Sequence, residues 1–160
     1  MSSQEDRERI AELVRNAFRG VTLGDGVGLH QAEGMDQYEP ASILAALRLE
    51  DEKLDWRRVP VNELNDYCNS LCYLDAEGMR FLLPAYLLAA LNDELTIEFD
   101  FHLTYCDIDN LSRFSLLDNA QKSAVRAFLE LRLKDTEIGP YAPKHELIVS
   151  ALAKFWKQPR

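Results

Sequence analysis

Positive charge is scarce in this chain. Its 18 lysines and arginines are outnumbered by 27 aspartates and glutamates, for a net charge of -9. A nucleic-acid binder needs a basic face to displace counterions from phosphates, and an anionic membrane selects for the same feature. Neither nucleic acid nor membrane is therefore expected as a partner. Cysteine is also sparse: Cys68, Cys72 and Cys106 are the only three. An odd, small set with no apolar leader in Met1–Arg9 reads as reduced cytoplasmic thiols, not a disulfide framework. Long apolar runs are missing as well. The longest, Phe81–Leu91, is interrupted by Pro84 and too short to span a bilayer.

The motifs of catalysis are absent too. None of His30, His102 and His145 stands in an HExxH or beside a serine in a nucleophile turn. The only glycine-rich segment, Val21–Leu29, carries Gly24, Gly26 and Gly28 but no lysine. Its Asp25 would repel a phosphate, so it reads as a structural turn. Cys68 and Cys72 lack the short-loop spacing of a zinc site and read as core fillers. No metal or other cofactor is expected.

What is present is helical periodicity. Ser2–Arg19 is expected to be an amphipathic helix with Ser2 and Glu5 as a capping box, Ile10, Leu13, Val14, Ala17 and Phe18 inward, and Gly20 at its end. A short helix follows over residues 29–38. Pro40 opens another, with Ile43, Leu44, Leu47 and Leu49 toward the core. Leu54–Pro60 is a connector, and Val61–Leu71 is helical, with Leu64, Tyr67, Cys68, Leu71 and Cys72 on one side.

Asp75 caps a helix entering the apolar segment, where Pro84 kinks it or starts a new one. Phe81, Leu82, Leu87, Leu88 and Leu91 are expected to be buried. Asp118 with Gln121 begins a long helix to about Lys134. Gly139–Pro143 reads as a rigid loop before a final helix, Lys144–Trp156, burying Leu147, Ile148, Ala151, Leu152 and Phe155. Residues 95–105 are ambiguous. Ile97, Phe99, Phe101, Leu103 and Tyr105 alternate as in a strand, yet no partner strand is evident, which favours a helix or an irregular segment. The expected fold is all-α, one domain over residues 1–160, a compact bundle of about six to eight short helices around a proline-kinked centre.

Two sets of residues are candidates for function. Asp93, Glu94, Glu98, Asp100, Asp107 and Asp109 fall in one stretch without lysine or arginine. They suit docking of a basic protein partner. His102 lies among them; a raised pKa is conceivable there, but a surface or half-buried histidine is the better expectation. Asp36, Tyr38, Trp56 and Arg80 stand beside apolar stretches as a second, cleft-like set, with Arg80 free to pair with Asp36 or Glu77.

Three segments, residues 21–38, 75–91 and 117–129, resemble a bacterial domain family of uncharacterised function. The resemblance rests on a glycine turn followed by Asp36 and Tyr38, then Trp56, then Gly78, Phe81 and Pro84, and a helix start at Gln121. It covers Ile10 to about Leu133 and implies a compact helical cytoplasmic domain without supplying a catalytic residue. By size and acidity the chain also resembles immunity proteins that neutralise toxins. The leading expectation is a non-catalytic interaction or immunity-like binding protein. The alternative is a small enzyme or ligand-binding protein with a pocket near Asp36, Trp56 and Arg80.

Overall fold

A computed structural model describes residues 2–105, 107–135 and 142–157. Among these residues the fold is all helical, with no strand. Nine α-helices and two 3-10 segments follow one another among the described residues. They are α1 (Gln4–Ala17), α2 (Leu29–Asp36), α3 (Ala41–Glu50), a 3-10 turn (Trp56–Arg58), α4 (Val61–Asp66), a 3-10 helix (Cys68–Tyr73), α5 (Ala76–Leu91), α6 (Asp100–Thr104), α7 (Ile108–Ser112), α8 (Asn119–Asp135) and α9 (Ala142–Lys154). No described helix is long and apolar enough to cross a membrane.

Helix α5 is the hub. Asp75 caps it by accepting from the Gly78 N–H, 2.8 Å away, and nearly every side chain from Gly78 to Leu91 is buried. Pro84 lies inside this one helix and neither ends nor restarts it. A proline there removes one helical hydrogen bond, a cost that burial on all sides offsets. Leu88 alone of the expected buried set is only partly covered. Around α5 pack α1, α4 and the Trp56 turn, and α8 joins α1 to α9.

The first capping box is displaced by one residue. Ser3 caps α1 by accepting from the Asp6 N–H, while Ser2 bonds Asp135 through its N–H at 2.7 Å and its hydroxyl at 3.1 Å. The second is reciprocal: the Gln121 N–H donates to Asp118 Oδ1 at 2.8 Å, and the Asp118 N–H donates to Gln121 Oε1 at 3.0 Å. Buried polar tips find backbone carbonyls. Trp56 Nε1 donates to the Phe18 carbonyl, Trp156 Nε1 to that of Leu103, and the Tyr86 hydroxyl to that of Leu64.

The glycine turn is a structural joint. Asp75 Oδ1 also accepts from the Val27 N–H at 3.0 Å. Arg48 donates to the Gly24 and Gly26 carbonyls. Asp51 accepts from the His30 and Gln31 N–H groups, so it caps α2 from a distant segment where Gly28 offers no side chain. The turn is thus pinned to α3, to the segment after it and to α5.

Several expectations about burial fail. Helix α3 buries no residue. Leu44 and Leu47 lean on Gly34 of α2, while Ile43 and Leu49 are exposed. After Asp66 the helix tightens to 3-10 geometry, and the change of period from 3.6 to 3.0 turns Cys72 to the surface while keeping Leu71 buried. Leu147 is half exposed, and Trp156 instead anchors α9. Of the expected loop Gly139–Pro143, residues 139–141 lie outside the described residues, as does Cys106, and Ala142–Pro143 already belong to α9.

Candidate functional site

The ambiguous segment resolves at Phe99–Tyr105. An α-helix advances about 100° per residue, so positions two apart lie about 200° apart. A strictly alternating apolar pattern laid on a helix therefore makes two opposite apolar faces. Phe99 and Leu103 form the buried face, and Phe99 stacks on Tyr86 with ring centroids 4.8 Å apart. Phe101 and Tyr105 form the other. They are 53% and 50% exposed and stack on one another at 5.3 Å and 18°. Ile108, at the start of α7, is 85% exposed.

This outer face is held rigidly. Asp107 caps α7 by accepting from the Asn110 N–H at 2.7 Å. The buried Asn110 carboxamide donates to the His102 and Tyr105 carbonyls at 2.8 and 2.6 Å, closing the end of α6. Arg113 then ties α7 to the 3-10 helix through the Cys72 carbonyl at 2.7 Å.

The six acids of this stretch divide. Asp93 pairs with Arg7 at 2.8 Å. Glu98 and Asp100 pair with Lys144 at 2.6 and 3.1 Å, and Asp100, itself buried, lies 3.4 Å from Arg132. The chain thus brings cations from three other helices to a segment that has none of its own. Glu94 sits apart, against the groove between α4 and α5. Asp107 and Asp109 are exposed, adjoin the aromatic face in sequence and form no ion pair among the described residues.

His102 is half-buried, as expected, and its pKa is not raised. Burial, and secondarily the Arg113 charge, push its pKa down, because no carboxylate compensates the desolvation. A depressed histidine pKa means that the unfolded chain binds the proton more tightly. The stabilising contribution is then complete above the unfolded value and lost as pH falls through the folded one. Urea midpoints of the native chain should fall more steeply below about pH 6.5 than those of His102→Gln. Parallel pH profiles for the two proteins would refute this origin of acid sensitivity.

The second set does not converge. Trp56 is buried in the wall of a cleft of about 410 Å³ together with Arg15, Arg19, Leu54 and Arg57. Asp36, Tyr38 and Arg80 do not line that cleft. Its Arg15 and Arg57 are engaged by Glu8, Glu12 and Asp55. Asp36 instead lies near Tyr73, whose pKa is raised by burial and then by the neighbouring Tyr38 and Asp36, and Tyr38 itself is 89% exposed. Arg80 makes no ion pair with Asp36 or Glu77 among the described residues, and its Nε is buried without a hydrogen-bond partner. Sequence reasoning missed a third cluster. His30 Nδ1 meets Asp51 Oδ1 at 2.9 Å, its Nε2 lies 3.7 Å from Glu63, and its ring abuts Tyr67. Contacts across 21 and 33 residues leave no local spacing to read. The cluster fastens α2 to α4 and to Asp51 at the end of α3.

Residues 6–160 match a family of unknown function, DUF6714, and the chain belongs to that family. The match takes in α9, beyond the span of the three resembling segments. No curated protein and no solved structure matches the chain.

Proposed function

We propose that this member of a family of unknown function acts in the cytoplasm by binding a basic protein partner, in the manner of an immunity-type inhibitor or regulatory binder, and not by catalysis. The observation that carries this reading is the outer face of α6 and α7. Phe101 and Tyr105 expose apolar area on α6, whose other face already serves the core, and Ile108 does so at the start of α7. Exposed apolar patches edged by polar groups mark interaction sites. Asp107 and Asp109, beside the patch, give it the sign that attracts a basic surface. An exposed thiol, Cys72, suits a reducing compartment.

A photo-crosslinking residue placed at Ile108 in the native host should trap a protein of basic character, while one placed at the exposed Lys122 should not. Replacing Asp107 and Asp109 with asparagine keeps the α7 cap and removes two charges. It should slow association with the trapped partner about ten-fold at low salt and flatten its ionic-strength dependence. Trapping nothing at Ile108, or an association rate indifferent to both salt and substitution, would refute the reading.

A further inference from the structure

Resting on that reading, we infer that the α6–α7 face recognises arginine side chains specifically, so that its partner presents an arginine-bearing segment and not merely positive charge. The Phe101 and Tyr105 rings stack on one another, offset and half exposed one helical turn apart, which leaves an outward π face on the stacked pair. A guanidinium is planar, weakly hydrated and stacks on such a surface, whereas an ammonium is a compact, strongly hydrated point charge.

The carboxylates supply the second half of the recognition. Asp107, whose Oδ1 caps α7, and Asp109 stand two and four residues after Tyr105 and form no ion pair among the described residues. A carboxylate takes a guanidinium through two parallel hydrogen bonds, a geometry lysine cannot make. The clamp of Asn110 on the His102 and Tyr105 carbonyls fixes the backbone that carries the rings, which reduces the ordering required on binding. Glu98 and Asp100, which also lie in this stretch, are engaged by Lys144 and do not compete for the incoming cation.

The test uses the full chain with nona-arginine and nona-lysine as probes, read by titration calorimetry and by amide chemical shifts. Nona-arginine should bind about ten-fold more tightly than nona-lysine, with shifts concentrated in α6 and α7. Changing Phe101 and Tyr105 together to leucine retains apolar area without a π face. It should bring the two affinities within about two-fold, with circular dichroism unchanged. D107N with D109N should weaken both peptides. Equal affinities in the native chain, or an arginine preference undiminished by the leucine pair, would overturn the inference. If both peptides shift α6 and α7 and both weaken with D107N and D109N, yet bind equally, arginine selectivity fails and the docking face stands. If shifts map elsewhere, both fall.

Discussion

Gly78→Ala should destabilise the protein by about 3 kcal/mol, the upper end of the usual cost of overpacking and a large fraction of an ordinary domain's stability. A methyl group there would stand 2.1 Å from the Val27 carbonyl oxygen. That oxygen cannot yield alone. The Val27 N–H is fixed on Asp75, and the flanking Gly24 and Gly26 carbonyls are held by Arg48. The turn must move as a unit or α5 must unwind at its first turn. Gly20→Ala is the control. Gly20 has φ +77° with open space around it, so only backbone strain of about 1 kcal/mol is expected. Denaturant unfolding of both variants checks the order, and a Gly78→Ala midpoint at or above that of Gly20→Ala would show that the joint is soft.

Tyr86→Ala should cost about 3–5 kcal/mol, the range for deleting a buried aromatic. Tyr86 is fully enclosed, donates its hydroxyl to the Leu64 carbonyl at 3.0 Å and lies flat against Phe99. It therefore joins α4, α5 and α6 in one contact. Tyr86→Phe keeps the ring and strands one buried carbonyl, so a loss of about 1–3 kcal/mol is expected. Leu88→Ala, two positions along but only partly covered, should cost less than Tyr86→Ala. Equal losses for Tyr86→Ala and Leu88→Ala would mean that α5 is rotated from the arrangement described.

The sequence revealed what local physics controls. The cap at Asp75, the Asp118–Gln121 box and the apolar α5 were legible because each depends on residues within a turn of one another. The shift from Ser2 to Ser3 at the first cap was not, because Asp135, remote in the chain, holds Ser2. Apolar periodicity in α3 was read as burial, yet that helix touches the rest mainly through Gly34 and Arg48. The acid stretch looked uncompensated because its cations come from α1, α8 and α9. The alternating aromatics pointed to a strand or to a helix, and only the tertiary setting decides that both faces of one helix are apolar.

That division of α6 separates two kinds of selection. Changes at Phe99 or Leu103 are paid in folding and are removed whatever the partner. Changes at Phe101 or Tyr105 leave the core untouched, so the outer face can vary without first repairing stability. Divergence on that side of α6 and its C-cap then needs no new fold and no compensating mutation in the core.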